Sequence, residues 1–295
     1  MTTITPSQTP PPADMVVAID DTKLNRIPTL NTHIYAIGNV QPSFPSLSVE
    51  KEFMQSISAQ DMQVLTTNKK SNKITLKQLT PYFYSVLSDR KNFHIARELT
   101  WQFINTDNNP LFSIEPKSIA QINALINATE IDNQTHEQKR EVLIGQKLNE
   151  KYVSMTHLFS LSANQLNQQI SQLGNNINTS QLAPITDQLL SLQANDGEKA
   201  KNRAINFVLY NNPAIYIKCY ELLYAPSNST ANPNGFELVD VTTREQHYHN
   251  GQQIDLIFHF VGINTGAPQA WYCSVDVSGE FPYLLKSCDR FLMFN

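Results

Sequence analysis

The part of the chain that most constrains its fold follows Gly235, where three strand-like runs succeed one another. The runs are Phe236–Val241, Ile254–Val261 and Trp271–Val277, and they are rich in aromatic and β-branched residues. Asn250-Gly251 is a strong hairpin turn signal, and Gly262–Gly266 has the composition of a second hairpin loop. Strands joined by such short turns are antiparallel neighbours. The sequence therefore predicts a C-terminal antiparallel β-meander.

Helices and strands alternate in the earlier part of the chain. A strand is predicted over Ile34–Ile37, ending at Gly38, and Val49, Phe53 and Ile57 mark one face of the helix that follows. Further strands are predicted at Leu99–Ile104, Leu111–Ile114, Glu141–Ile144 and Met155–Leu161, and further helices at Thr75–Leu87, Ile119–Ile126, Asn164–Asn178 and Pro213–Tyr224. This order predicts an α+β fold with mixed helices and strands and a C-terminal antiparallel β-meander.

Composition limits the domain organisation and the classes of partner. Residues 1–29 are rich in Thr and Pro, which predicts an extended tail, and residues 30–295 are predicted to fold, with sub-lobes at 30–150 and 151–295. A net charge of −4 argues against binding to nucleic acid or to an anionic membrane. The sequence shows neither a signal peptide nor a membrane-spanning apolar run, so we expect a cytoplasmic protein.

The three cysteines give no sign of redox or metal chemistry. Cys219, Cys273 and Cys288 are widely spaced, which excludes a complete disulfide framework and leaves no CxxC pair. We therefore expect reduced thiols that behave as small buried apolar residues.

Two carboxylates near the end of the last predicted strand are the candidate catalytic residues. Asp276 and Glu280 lie four residues apart, and paired carboxylates divide acid and base roles when their environments separate their pKa values. The alternative is structural, with Asp276 or Ser278 ending the strand and capping a short helix over Pro282–Leu285. The sequence favours the structural alternative.

A histidine pair is the candidate metal site. His247 and His249 are two residues apart, which places them on one face of a strand, and His259 is the natural third ligand. If Asn250-Gly251 forms the hairpin turn, however, His249 pairs with Gln252 and His259 points to the opposite face. The alternative is a pair of exposed histidines at the hairpin tip, and no metal or other cofactor is predicted.

The common catalytic motifs are missing from the sequence. The nine glycines are scattered, so there is neither a GxGxxG fingerprint nor a P-loop. There is no GxSxG elbow, and His136-Glu137 continues with Gln-Lys-Arg rather than with the spacing of a zinc protease. Whether the chain is an enzyme stays open, and a non-enzymatic role is favoured.

An ordered series of short blocks carries a family resemblance across roughly residues 30–290. The blocks are Tyr35–Gly38, Phe44–Pro45, Glu50–Phe53, Asn92, Ala96–Leu99 with Trp101, Val142–Gly145, Arg203–Asn206, Asn212–Tyr216, Val275–Val277 and Glu280–Pro282. In this order they resemble the C-terminal region of PatG-type cyanobactin maturation proteins. Such proteins join this region to a subtilisin-like protease and macrocyclase acting on ribosomally made precursor peptides. The protease's Asp, His and Ser motifs have no counterpart here, so the resemblance transfers no catalytic residue.

The resemblance implies a free-standing, non-catalytic accessory module that binds a partner enzyme or a precursor peptide. An antiparallel meander offers a physical route, because an open sheet edge accepts an extended peptide as an added strand. The candidate contact residues are Tyr248, Trp271 and Tyr272. Two alternatives stay open: an enzyme of unrecognised type acting on peptides through Asp276, Glu280 or the histidine pair, and a structural subunit of a larger assembly.

Overall fold

The structure is a computed structural model that describes residues 33–67, 74–131, 139–161, 163–174, 177–224, 235–248 and 251–292. In chain order its elements are β1 (His33–Ser43), α1 (Leu47–Ser56), α2 (Ala59–Thr67), α3 (Leu76–Leu79), α4 (Phe83–Leu87), α5 (Phe93–Glu98), β2 (Thr100–Ile104), β3 (Pro110–Glu115), α6 (Ile119–Asn127), β4 (Arg140–Lys147), β5 (Tyr152–Leu161), α7 (Ala163–Leu173), α8 (Thr179–Leu190), α9 (Ala200–Asn211), α10 (Pro213–Tyr224), β6 (Phe236–Tyr248), β7 (Gly251–Gly262), β8 (Pro268–Asp276) and β9 (Tyr283–Phe291). The predicted α+β class is confirmed. The tail predicted at 1–29 lies outside the described residues.

The first five strands close into a barrel in the order β1-β2-β3-β5-β4. β1 pairs antiparallel with β2 and with β4, whereas β3 and β5 run parallel. One face of each strand packs with α1 to α6 into a common apolar core, in which Phe53, Phe83, Trp101 and Phe103 are almost completely buried. This core fixes the barrel against its helices.

β1 is longer than the sequence predicted, because Gly38 does not end it. The strand pairs with β4 over His33–Gly38 and with β2 over Asn39–Ser43. A Cβ atom at Gly38 would collide with the backbone oxygen of Ile104, so this glycine permits close contact between two strands. The following helix begins after Ser46, whose hydroxyl accepts from the Val49 N–H at 3.4 Å.

Two predicted helices differ from the structure. Thr75–Leu87 is divided into α3, a 3₁₀ turn and α4, since Pro81 in the turn has no N–H to donate to a continuous helix. The short helix predicted over Pro282–Leu285 is wrong, because β9 begins at Tyr283. Two register shifts between β8 and β9 break the alternation by which a strand is recognised from sequence.

The last four strands form an antiparallel sheet in the order β6-β7-β8-β9. One face packs against α7 to α10, and its buried core includes Leu256, Phe258, Cys273 and Val275. Unlike the barrel, this sheet is open, so β6 and β9 are edge strands.

α9 lies between the barrel and the open sheet. Phe207 and Tyr210 pack against the outer face of β1 and β4, whereas Ala204 and Val208 belong to the core of the sheet. The residues from 31 onward form one compact unit, and the sub-lobes at 30–150 and 151–295 stay a prediction. No helix in the described ranges has the length and apolar character needed to cross a membrane.

Glu141 in β4 should make stability depend on pH. Its side chain is buried, the Ser160 hydroxyl donates to it at 2.7 Å, and burial raises its pKa from 4.5 to about 7. Between pH 4.5 and about pH 7, Glu141 is ionised in the unfolded chain but still protonated in the folded protein. The free energy of unfolding therefore falls as pH rises through this range. We expect Glu141→Gln to increase the free energy of unfolding by up to ~3 kcal/mol near pH 8 and by little near pH 4.5.

Urea unfolding of both proteins across this pH range measures the effect. The matched control is Glu150→Gln, which makes the same substitution at an exposed glutamate. A pH-independent difference for Glu141→Gln would show that folding leaves the pKa of Glu141 unchanged and would contradict the prediction.

Candidate functional site

The two predicted catalytic carboxylates lie close to a buried arginine. Asp276 ends β8, and its carboxylate accepts a hydrogen bond from the Ser278 N–H at 2.7 Å. Glu280 follows in the turn before β9, and both carboxylates act electrostatically on Arg203 of α9. The structure thus places Asp276 and Glu280 in one region, where each carboxylate interacts electrostatically with Arg203.

Arg203 connects α9 to the turn between β8 and β9. It is fully buried, and its guanidinium donates to the carbonyl oxygens of Val277 at 2.7 Å, Glu280 at 3.1 Å and Gly279. Burial lowers the pKa of Arg203 to about 10, while the Glu280 and Asp276 carboxylates oppose this shift. The arginine stays charged at neutral pH, so its three bonds are charge-assisted.

The same helix region also holds the barrel. Both main-chain groups of Tyr35 in β1 are bonded, the N–H to the Gly197 oxygen at 3.0 Å and the oxygen to the Asn206 side-chain amide at 2.9 Å. Gly197 has φ +64°, and a Cβ there would collide with Tyr35, so a glycine is required. Arg203 and Asn206 together bond α9 to the sheet and to the barrel.

Three buried polar atoms around Arg203 have no hydrogen-bond partner among the described residues. They are His33 Nδ1, Arg203 Nε and Glu280 Oε1. Burial and the charge of Arg203 lower the pKa of His33, against the opposing effect of Glu280. We call these three residues the Arg203 cluster. It combines a donor, an acceptor and an imidazole that serves as either in its neutral form.

The predicted histidine site is not assembled in the described part of the chain. His247 is exposed, and its Nε2 lies 3.1 Å from a Glu245 oxygen. Tyr248 pairs with Gly251, so the predicted Asn250-Gly251 turn is wrong by one residue, and His249 lies outside the described residues. His259 pairs with Asp240, far along β6 from His247. Within the described ranges, no three His, Cys, Asp or Glu side chains are placed to hold a metal ion.

The three candidate contact aromatics lie in different environments. Tyr248 is 55% exposed at the end of β6. Trp271 packs against the sheet core, with Lys218 Nζ 4.5 Å from its ring centroid. Its neighbour Tyr272 points to the other face, and its hydroxyl accepts from Lys286 at 2.8 Å. The structure therefore does not bring the three side chains onto one surface.

Asp255 organises the face of the sheet opposite its core, and the sequence analysis missed it. Its carboxylate accepts from Ser274 at 2.6 Å, from Gln253 at 2.8 Å, and from Arg244 and Gln246, each at 2.7 Å. Burial acts to raise its pKa, but these hydrogen bonds and the Arg244 charge outweigh burial and hold the pKa below its ordinary value. Because Arg244 and Gln246 belong to β6, the network fastens β6 to β7. The sequence signal was a single acid within a strongly apolar strand.

The outer backbone of β6 is the most regular open edge of the molecule. From Asp240 to Tyr248 the strand pairs with β7 without a register shift. The Val241 N–H donates to the Asp240 carboxylate at 2.8 Å, so it does not bond to β7. Since N–H groups alternate between the two sides of a strand, those of Thr243, Glu245 and His247 also point outward. We call Asp240–Tyr248 the β6 edge.

Fold and site define an α+β domain that joins a closed barrel to an open antiparallel sheet. A family model described as PatG Domain matches residues 33–187, and a model described as PatG C-terminal matches residues 172–291. The chain belongs to the PatG family, and the predicted resemblance is confirmed.

A solved structure described as "PatG Domain of Unknown Function" has a similar fold. The TM-score is 0.63 at 13% sequence identity, and the match covers 88% of this chain and 99% of that chain. At this identity the likeness shows a common fold and carries no activity across. The search of curated proteins found no match.

Removing the Arg203 guanidinium should be strongly destabilising. Arg203→Met keeps much of the side-chain volume but leaves three carbonyl oxygens without their donor, and the oxygen of Val277 belongs to a buried hydrogen bond. We expect a loss of at least ~3 kcal/mol in the free energy of unfolding, measured in urea, because unmet buried polar groups are costly. Arg90→Met, at an exposed position, is the control and should change stability by less than about 0.5 kcal/mol. Equal effects of the two substitutions would contradict a structural role for Arg203.

Proposed function

We propose that this domain is a non-catalytic interaction module in the maturation of ribosomally made peptides. It binds an extended segment of a precursor peptide as an additional strand on the β6 edge. Membership of the PatG family supports the link to cyanobactin maturation. The geometry of the β6 edge supports the mode of binding.

The regularity of the β6 edge is the observation that carries this proposal. An added strand needs a run of outward N–H and C=O groups at constant spacing. The edge runs over nine residues, Asp240–Tyr248, all paired in register with β7. Because the Val241 N–H is taken by the Asp240 carboxylate, the donors for a peptide are the N–H groups of Thr243, Glu245 and His247. The bonds from Arg244 and Gln246 to Asp255 hold the strand in place, so little ordering is required when a peptide binds.

The opposite edge, β9, is less suited to a peptide. Its pairing with β8 contains two register shifts, and the Ser287 oxygen already accepts from the buried Asn212 side chain at 2.6 Å. Irregular pairing is a feature that keeps an edge strand from accepting a partner.

The Arg203 cluster supports a non-catalytic role. Its arginine is bonded to three main-chain oxygens and holds two parts of the fold together. A side chain committed in this way is not free to contact a substrate. The low charge of the chain, 16% charged residues, favours recognition through backbone pairing over electrostatic steering.

A proline on the β6 edge tests the binding mode. Thr243→Pro removes an outward N–H that β7 does not use, so the fold should be retained. We expect affinity for a fluorescein-labelled precursor peptide coded in the same gene neighbourhood to fall at least about tenfold, measured by fluorescence anisotropy. In an added strand, only every second peptide N–H faces β6. N-methylation of those residues should weaken binding, whereas N-methylation of the residues between them should not.

A matched pair of tyrosines distinguishes the two edges. Tyr248 on β6 and Tyr283 on β9 are each 55% exposed. Tyr248→Lys should weaken peptide binding, whereas Tyr283→Lys should not. Strand addition at β6 would be refuted if the peptide does not bind, or if N-methylation weakens binding equally at both sets of alternate peptide residues.

A further inference from the structure

We propose that a cavity beside the barrel is a binding site for the carboxyl-terminal residue of a peptide that ends in an apolar side chain. The cavity has a volume of about 530 Å³ and is lined by residues from β1, from the α3–α4 segment and from the ends of β2 and α6. This volume lies within the range of about 300–1,000 Å³ that is typical of small-ligand sites. The proposal does not rest on the β6 edge.

The apolar part of the cavity fits a hydrophobic side chain. Val40, Phe83 and Ile104 line it, and all three are buried members of the fold. Pro42 and Pro81 add two rigid apolar rings. A bound aliphatic or aromatic side chain would be removed from water against surfaces that are already fixed by the core.

The charge of the cavity favours a carboxylate. Lys77 is the only charged residue among its described lining residues. A second cavity of about 400 Å³ adjoins the other side of α3, where Leu76 and Leu79 line it together with an acid, Glu50. An anionic ligand is therefore favoured in the first cavity and opposed in the second.

The hydrogen-bonding groups favour a ligand that has an N–H as well as a carboxylate. The Thr80 hydroxyl donates to the Leu76 oxygen at 3.2 Å, and the Thr129 hydroxyl donates to the Ile126 oxygen at 2.7 Å. Each hydroxyl hydrogen is therefore committed, and only oxygen lone pairs remain for a ligand.

Donors for the carboxylate come from other lining residues. Gln41, Lys77 and Asn108 line the same cavity, and their side chains carry N–H groups of the kind that donate to a carboxylate. An apolar side chain, a carboxylate and an adjacent amide N–H occur together in the last residue of a peptide.

The test uses the full chain and three small probes titrated by ligand-observed NMR. N-acetyl-L-phenylalanine carries all three features, N-acetyl-L-phenylalaninamide lacks the carboxylate, and 3-phenylpropionate lacks the amide. We expect the first probe to bind at least about fivefold more tightly than either of the others. Lys77→Met should reduce its affinity to that of the amide probe and leave binding of the amide probe unchanged.

Two further variants locate the site. Gln41→Trp fills the cavity from β1 and should abolish binding of all three probes, with a circular-dichroism melt to verify folding. Lys91→Met removes an exposed lysine that does not line the cavity and should have no effect.

Three outcomes would overturn the proposal. They are binding of none of the probes at millimolar concentration, equal affinity for N-acetyl-L-phenylalanine and 3-phenylpropionate, and acid binding that survives Lys77→Met. Because the probes are single residues too short to form a strand, their failure is independent of a failure of peptide binding at the β6 edge.

Discussion

The hydrogen bonds that Arg203 and Asn206 make on two sides of α9 determine how the rest of the molecule is held together. Asn206 and the preceding Gly197 segment bond Tyr35 over the stretch of β1 that has no pairing with β2. Arg203 bonds the turn that separates β8 from β9. A helix between two sheets usually needs only an apolar face on each side. Here polar contacts fix its position as well, because a hydrogen bond is directional and a hydrophobic contact is not.

Elements with strong local signals were predicted well from the sequence. α10 runs from Pro213 to Tyr224 as predicted, since Pro213 suits a first helical turn and the apolar spacing is regular. β2 and β3 are also found where strands were predicted at Leu99–Ile104 and Leu111–Ile114, and they pair as a hairpin. Errors arose where distant residues decide the outcome. Gly38 continues a strand because Ile104 lies against it, and nothing near Gly38 in the sequence records that contact.

The important site residues were harder to predict for the same reason. Arg203 lies on the buried side of α9, next to Ala200 and Ala204. A charged residue on this helix face was therefore the sequence feature that could have identified it. Its partners are the main-chain oxygens of residues more than seventy positions away, and a main-chain oxygen has no sequence signature. Glu280 was recognised as a candidate, but its neighbours His33 and Arg203 could not be inferred without the fold.

The division between a closed and an open sheet explains where strand edges are exposed. Closure of the barrel gives each of its strands two neighbours, and the Gly197 segment bonds Tyr35 over the part of β1 that pairs with β4 but not with β2. The second sheet cannot close, because four antiparallel strands with helices on one face leave two edges. On β9, register shifts and the bond from Asn212 interrupt the edge, whereas the Asp255 network bonds β6 to β7 over a stretch that pairs in register. An acid buried beneath an exposed edge strand is costly to maintain. Its bonds to Arg244 and Gln246 offset that cost and hold the edge strand in place on β7.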